Sequence, residues 1–200
     1  MSAEIHYQLG VPESLRAEAA ELYDAAFGQK FSVAVSDHAQ RLKLLRDSFA
    51  LAFAYAAIAD GRLAGLAGFQ TPAGSLTQGM SAEELFQHLG VLRGVRAAAV
   101  FSLFDRKPSS GELLMDGIAV RADMRGHGIG TRLLACLHDY AVEHGFKTIR
   151  LDVIDTNSAA RRLYERCGFV ATHTEKFEYL RWMLGFGAST TMELHITDDR

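Results

Sequence analysis

Residues 121–134 read Arg-Ala-Asp-Met-Arg-Gly-His-Gly-Ile-Gly-Thr-Arg-Leu-Leu, with glycine at positions 126, 128 and 130. The apolar run 113–120 before this stretch is typical of a buried strand, and the periodic apolar residues from Leu133 onward indicate an amphipathic helix. Three alternating glycines leave backbone N–H groups unshielded where the positive end of the helix dipole is aimed. The stretch therefore predicts an anion site suited to phosphate, with an ordinary tight strand-to-helix turn as the alternative.

Three phosphate-binding patterns compete for this loop. A Walker A loop requires a lysine that the stretch lacks. A dinucleotide-binding fold requires a third glycine where Thr131 stands, although Asp152, about twenty residues further on, keeps a nucleotide-dependent oxidoreductase open as an alternative. The third pattern is Arg-x-x-Gly-x-Gly, and it is met by Arg125, Gly128 and Gly130.

Composition and charge exclude several classes of protein. The 21 Lys and Arg against 24 Asp and Glu give a net charge of −3, which argues against a nucleic-acid binder with a strongly basic surface. No apolar run approaches a transmembrane length and the start lacks a signal peptide's pattern, so we expect no membrane association. Two cysteines form no disulfide framework, which indicates a cytoplasmic setting. The eight histidines show no metal-ligand spacing, so we expect no metal.

Strands and helices alternate along the chain without repeats, which predicts one mixed α/β sheet with helices on both faces. The clearest local signal is a hairpin of strands 53–59 and 62–70 around Asp60-Gly61. The first strand is predicted over 5–11. Helices are predicted from Pro12 to Gly28, after Asp37, from the glycine loop to His144, and from Ser158 to Cys167.

The whole chain, 1–200, is expected to form a single domain with a helical insertion at about 72–110. Pro72, Gly74 and Gly79 are typical of irregular structure in this segment, and the capping box at Ser81 predicts the start of a helix. A second helical piece is predicted over about 95–104. The insertion either completes the core or carries specificity, as long structured insertions often do.

A second motif spans residues 157–169, Asn-Ser-Ala-Ala-Arg-Arg-Leu-Tyr-Glu-Arg-Cys-Gly-Phe. It matches Asn-x-x-Ala-x-x-Leu-Tyr-x-x-x-Gly-Phe throughout, and together with the glycine loop it resembles the GNAT superfamily of acyl-CoA N-acyltransferases. The resemblance is clear from about Leu113 to Val170 and does not account for residues 71–111 or the tail after Glu175. It implies a mostly antiparallel mixed sheet in which two parallel strands, 113–120 and 147–153, splay apart.

The resemblance implies acetyl-CoA as the co-substrate, bound in that splay. The backbone of Ile118, Ala119 and Val120 would pair with the pantetheine like an added strand. Asn157 would hold the pantetheine or an ordered water, or it only caps its helix. The pyrophosphate would lie on the loop residues Arg125, Gly126, His127, Gly128, Ile129, Gly130 and Thr131.

The implied reaction transfers an acyl group, most often acetyl, to an amine by direct attack in a ternary complex. Tyr164 is the matched acid for the leaving thiolate, and its alternative is a core aromatic. Asp116 lies in an apolar run where a carboxylate is costly, so it is a base, an amine anchor or a structural hydrogen-bonding group. Glu112 is interpreted as nearer the loop and able to act through water. The N–H of Ile118 or Ala119 would stabilise the oxyanion.

Strand alternation places Asp116 on one face together with Glu112, Leu114, Ile118 and Val120.

A CoA-binding module without catalysis is the second class of function, and Tyr164 with an inward carboxylate argues against it. The acceptor is a small amine, an amino acid or a protein amine, and the insertion is a candidate wall over its site. The sequence does not determine the oligomeric state, and a homodimer is one alternative.

Overall fold

The computed structural model describes residues 4–78, 90, 91, 94, 95 and 108–196. The strands in these residues are β1 (Ile5–Leu9), β2 (Ala54–Ala59), β3 (Arg62–Thr71), β4 (Gly74–Ser75), β5 (Glu112–Val120), β6 (Thr148–Ile154), β7 (Val170–Lys176) and β8 (Ala188–His195). They form one sheet in the order β1-β2-β3-β5-β6-β8-β7, with β4 paired to β3. Only β5 and β6 pair in parallel; the other described pairs are antiparallel. The predicted mixed, mostly antiparallel sheet is confirmed.

Helices cover both faces of this sheet, as the sequence predicts. They are α1 (Arg16–Ser32), α2 (His38–Ser48), α3 (Ile129–Glu143), α4 (Ser158–Arg166) and the short α5 (Arg181–Leu184). Residues of α1 and α2 share one apolar core with the sheet, and residues of α3 and α4 share a second core on the opposite face. Within the described residues, no helix is both long and apolar enough to cross a membrane.

Local turn and cap signals act where the sequence places them. Asp60 and Gly61 both adopt positive φ, 50° and 74°, which is the geometry of a two-residue hairpin turn between β2 and β3. Asp37 caps α2 by accepting a hydrogen bond from the N–H of Gln40 over 2.7 Å. Gly145, at φ 71°, follows the end of α3. These features depend on neighbouring residues only, which makes them readable from sequence.

Gly28 does not end the first helix, contrary to the prediction. The α-helix begins at Arg16, after a 3-10 turn at Glu13–Leu15, and continues to Ser32. An ideal Cβ on Gly28 would lie 2.7 Å from Oδ1 of the buried Asp24. Asp24 accepts hydrogen bonds from Arg41 of α2, with Nη2 to Oδ2 at 3.1 Å. Glycine at this position therefore makes room for an ion pair that joins the two helices.

The first strand, the tail after Glu175 and the insertion also need comment. The first strand ends at Leu9 instead of Val11, because Gly10 turns away at φ 81° and its N–H donates to the carbonyl of Ala54. The tail after Glu175, for which the resemblance does not account, carries the end of β7, a 3-10 turn, α5 and β8. The predicted helix from Ser81 lies outside the described residues, as does most of the predicted piece 95–104.

A β-bulge interrupts β5 at Asp116. Gly117 lies opposite Gly68 of β3, but the next pair is Met115 with Phe69, so Asp116 is an extra residue in β5. The extra residue shifts the alternation of side chains. Met115 and Ile118 consequently belong to the same core, on the α3 face. The prediction that Asp116 shares a face with Ile118 and Val120 is therefore wrong.

The parallel pairing of β5 with β6 ends just before the bulge. Only Glu112, Leu113 and Leu114 of β5 pair with β6, opposite Thr148–Arg150. Beyond this point β5 continues beside β3 to Val120, and β6 continues beside β8 to Ile154. A gap therefore opens between the carboxyl ends of β5 and β6, next to the glycine loop.

Candidate active site

One edge of β5 pairs with β3, and the other borders the gap. Along the edge at the gap, the N–H and C=O groups of every second residue point away from β3. The N–H of Arg121 donates to the carbonyl of Ala64 over 2.9 Å, so this pair is hydrogen-bonded in the ladder with β3. In an antiparallel ladder the direction alternates, which turns the peptide groups of Ala119 towards β3 and those of Ile118 and Val120 towards the gap. Of the two N–H groups considered for the oxyanion, only that of Ile118 points into the gap.

The glycine loop joins this edge to α3. Gly126 and Gly128 adopt φ of 82° and 75°, and an ideal Cβ on either would meet nothing within 4 Å. Gly128 is the N-cap of α3 and offers no side chain, so the N–H groups of the first helical turn have no side-chain cap. An open helix N-terminus next to unshielded glycine N–H groups is suited to bind an anion.

Close packing at Gly130 brings the second motif to the same place. An ideal Cβ on Gly130 would lie 3.0 Å from Cδ2 of Leu163 on α4 and 3.8 Å from Cδ1 of Ile118 on β5. A larger residue would push α4 away from the first turn of α3. The glycine loop, the open edge of β5 and α4 thus converge around the splay.

Two polar side chains of the loop, those of Arg125 and His127, contact backbone carbonyls of β5 and of the loop. Arg125 is exposed and its Nε donates to the carbonyl of Val120 over 3.2 Å. Nδ1 of His127 lies 3.1 Å from the carbonyl oxygen of Arg125. Thr131 is exposed in the first turn of α3. These contacts hold the loop in shape and leave its glycines open.

Asn157 caps α4 as its sequence motif predicts. Its Oδ1 accepts a hydrogen bond from the N–H of Ala160 over 3.1 Å. The side chain is exposed, so its amide N–H₂ can still donate to another group. Capping and ligand binding are compatible in this geometry.

Tyr164 lies on α4 and is buried. Its side chain is only 5% exposed, and its ring centroid is 5.8 Å from that of Phe169. Burial raises the pKa of the Tyr164 phenol because the phenolate would lose its hydration. The phenol is therefore protonated at neutral pH, which is the form that a proton donor requires.

Asp116 lies on the opposite face of the sheet, towards α1. Its Cβ is 3.4 Å from the position of an ideal Cβ on Gly68 of β3, and its side chain is half-buried. Burial raises the pKa of the nearby Tyr23, and the negative charge of Asp116 raises it further. The carboxylate therefore lies at the bulge, under α1.

Glu112 does not lie near the glycine loop, and that interpretation is wrong. It starts β5, eight residues before Val120, which amounts to roughly 26 Å along a strand. Oε2 of Glu112 lies 3.0 Å from Nη1 of Arg150 on β6 and accepts the N–H of Ser109 over 2.8 Å. These contacts place Glu112 where the parallel strands are still paired.

Sequence reasoning missed two residues next to the bulge, Tyr23 and Phe27 of α1. Both lie within the helix predicted from Pro12 to Gly28, and no pattern in a single sequence tells which of its apolar residues meet β5. The close approach of Phe27 to Gly117 follows only from the packing of α1 on the sheet.

The fold and the open loop define an acetyltransferase architecture. The chain belongs to the Acetyltransferase (GNAT) family, whose pattern matches residues 16–169. Among curated relatives, "Probable N-acetyltransferase camello" of Xenopus tropicalis is 39% identical over 64 residues, which is 32% of this chain and 29% of that protein. The match thus spans less than a third of that relative's length.

Solved structures agree with the fold along nearly the whole chain. A crystal structure of an acetyltransferase superimposes with a TM-score of 0.62 at 19% identity, covering 96% of this chain and 100% of the other. A structure of yncA from Salmonella typhimurium with its cofactor acetyl-CoA gives a TM-score of 0.59 at 16% identity, covering 97% and 95%. Membership of the GNAT family overturns the oxidoreductase alternative. Asp152 instead accepts a hydrogen bond from Oγ1 of Thr191 over 2.6 Å.

Proposed function

We propose that the protein is an N-acyltransferase that transfers acetyl from acetyl-CoA to a primary amine by direct attack in a ternary complex. The observation that carries this proposal is the open edge of β5 beside the uncapped N-terminus of α3. Membership of the GNAT family and the likeness to yncA, which was solved with acetyl-CoA, support the choice of co-substrate.

Acetyl-CoA would bind along the gap in two parts. The pyrophosphate would accept hydrogen bonds from N–H groups of the loop from Gly126 to Thr131, with the positive charge of Arg125 nearby. The pantetheine amides would pair with the peptide groups of Ile118 and Val120, which point into the gap. Asn157, at the start of α4, would donate its amide hydrogens to the pantetheine or to an ordered water.

The amine must lose a proton before it attacks. An alkylammonium with a pKa near 10.4 is only about one part in 2500 neutral at pH 7, and the ammonium has no lone pair. Asp116 is the carboxylate at the bulge, and we assign it to hold the ammonium and to accept its proton, directly or through a water. Glu112 takes no part in this proposal because Arg150 and Ser109 engage it at the other end of β5.

Attack on the thioester forms a tetrahedral oxyanion and then expels a thiolate. The N–H of Ile118 points into the gap and is the proposed donor to the oxyanion. Tyr164 is the proposed acid for the thiolate. Its raised pKa keeps the phenol protonated but also makes it a weaker acid, so close approach to the sulfur is required for the transfer.

Two measurements together test the proposal. Acetyl-CoA should raise the melting temperature and NAD should not, since a ligand at one hundred times its Kd adds about 2.7 kcal/mol to the free energy of unfolding. An amine panel with acetyl-CoA should then release free thiol and yield the acetylated amine. Stabilisation by NAD alone would contradict the proposal. Stabilisation by acetyl-CoA without turnover of any amine would favour the CoA-binding module.

A further inference from the structure

The two faces of the sheet next to the bulge carry different groups of side chains. On the α3 face, Gly130, Leu163 and Ile118 are in close packing, and an ideal Cβ on Gly130 would already lie 3.0 Å from Leu163. On the α1 face lie Asp116 and Phe27, both half-buried. Because Asp116 faces α1, an acceptor that binds its carboxylate would do so on the α1 side of the sheet.

Phe27 occupies the space directly above the bulge. An ideal Cβ on Gly117 would lie 2.4 Å from Cζ of Phe27, 2.9 Å from Cε2 and 3.1 Å from Cε1. The far end of the ring therefore points at the backbone of Gly117, one residue from Asp116. The ring of Phe27 packs against the ring of Tyr23, and their centroids are 4.6 Å apart. Tyr23 is in turn packed against Phe31 and Phe49, at 5.9 and 5.3 Å.

We infer that Phe27 is the specificity-determining residue of the acceptor site and restricts the acceptor to a primary amine on an unbranched, apolar carbon chain. The inference rests on the proposed function. The ring end fills the space above Gly117, one residue from Asp116, and therefore opposes a branch at the carbon that carries the nitrogen. The apolar rings favour a hydrocarbon chain. Two effects disfavour a carboxylate on that carbon: steric conflict with the ring and electrostatic repulsion by the negative charge of Asp116.

A matched series of three acceptors tests this inference. Pentylamine, its α-methyl analogue and norleucine share a butyl chain and differ only in the group on the carbon next to nitrogen: hydrogen, methyl or carboxylate. We expect the wild-type kcat/KM to fall by at least about tenfold from pentylamine to the α-methyl amine, the scale of one misplaced methyl group in a pocket. Norleucine should be poorer still.

Two substitutions at the ring separate sterics from charge. Phe27→Leu shortens the side chain and should bring the α-methyl amine to within about threefold of pentylamine, while norleucine stays poor because Asp116 remains. Phe27→Tyr adds a hydroxyl at Cζ, directly towards Gly117, and should lower kcat/KM for pentylamine by at least about tenfold. Both variants should retain the thermal stabilisation by acetyl-CoA, which shows that they fold.

Phe31→Leu is the matched control, because it removes a ring from the same helix that also contacts Tyr23. It should leave the ranking of the three acceptors unchanged. The inference is overturned if wild type uses the α-methyl amine or norleucine as well as pentylamine, if it acetylates other amines but not pentylamine, or if Phe27→Leu leaves the ranking unaltered. Failure of the proposed function differs, since no amine of any kind would then release thiol.

Discussion

Asp116 and Tyr164 lie on opposite faces of the sheet, on either side of the gap that opens beside β5. Asp116 faces α1, whereas Tyr164 belongs to the core shared with α3. Acyl transfer from a thioester to an amine needs a proton acceptor on the side of the amine and a proton donor on the side of the thiolate. The proposal therefore assigns the proton of the amine to Asp116 and the proton for the thiolate to Tyr164.

Asp116→Asn keeps the shape of the side chain but removes its charge and its basicity. If Asp116 holds the ammonium and takes its proton, turnover of an accepted amine should fall by about a hundredfold or more. The Kd for acetyl-CoA, measured by calorimetry, should stay within about threefold, because the α1 face is not where the proposal puts the co-substrate. Normal turnover in the folded variant would assign the proton to ordered water.

Tyr164→Phe keeps the ring and its packing on Phe169 but removes the proton donor. We expect a folded variant that binds acetyl-CoA normally and turns over at least about tenfold more slowly, since water replaces the phenol only in part. Tyr140→Phe serves as the control, because Tyr140 stacks on His144 elsewhere on α3. Equal turnover in Tyr164→Phe and wild type, with chemistry rate-limiting, would reduce Tyr164 to a packing residue.

At the scale of elements, the splay depends on where the β5–β6 pairing stops. Glu112 and Arg150 join the two strands at their paired end, with side chains only 18% and 16% exposed. The bulge at Asp116 then turns β5 away. The ion pair therefore fixes the closed end of the gap, and the bulge shapes the open end.

The role of Glu112 is tested by a double-mutant cycle of Glu112→Gln and Arg150→Gln. Each single change should lower the free energy of unfolding by about 1.5–3 kcal/mol, the cost of losing a charged hydrogen bond in a shielded place. The double variant should cost less than the sum, which chemical denaturation can measure. Turnover per folded Glu112→Gln molecule should stay near wild type. A large loss of turnover with unchanged stability would restore Glu112 as a base.

The sequence could predict the elements whose signals are local. The Asp60-Gly61 turn, the Asp37 cap and the start of α4 at Asn157 each depend on a few consecutive residues. The glycine loop and the second motif are also recognisable, and so is the splayed strand pair that they imply. The bulge is not, because β5 carries no local signal that interrupts the alternation of its side chains. The predicted helix end at Gly28 is wrong for a similar reason. Glycine at this position makes room for the side chain of Asp24, and only the tertiary packing shows this contact.

At the scale of the whole molecule, each face of the sheet buries one deeply placed tyrosine. Tyr23 is 3% exposed in the core under α1, and Tyr164 is 5% exposed in the core under α3. Burial raises the pKa of both phenols above the ordinary value near 10. Their protonated state is thus linked to the integrity of both cores.

Stability should accordingly fall in alkali. Below pH 10 both phenols are protonated in the folded and unfolded chain, so the free energy of unfolding is unaffected by them. Above pH 10 the unfolded chain loses these protons first, and stability falls by about 1.4 kcal/mol per pH unit for each tyrosine until the folded pKa is reached. Denaturation between pH 9 and 11.5 should show a shallower fall in Tyr164→Phe. An identical slope in both proteins would contradict the burial of Tyr164.

The central claim, that acetyl-CoA lies on the glycine loop at the N-terminus of α3, is tested most directly by a calorimetric titration of two matched variants. Gly128→Asp and Gly145→Asp change glycines of similar φ, 75° and 71°, with open space around them, at opposite ends of α3. The backbone cost should be similar, but only the change at position 128 would put a negative charge beside the pyrophosphate. We predict that Gly128→Asp weakens acetyl-CoA binding by at least about a hundredfold, whereas Gly145→Asp stays within about threefold of wild type. Equal affinity in the two folded variants would contradict the account.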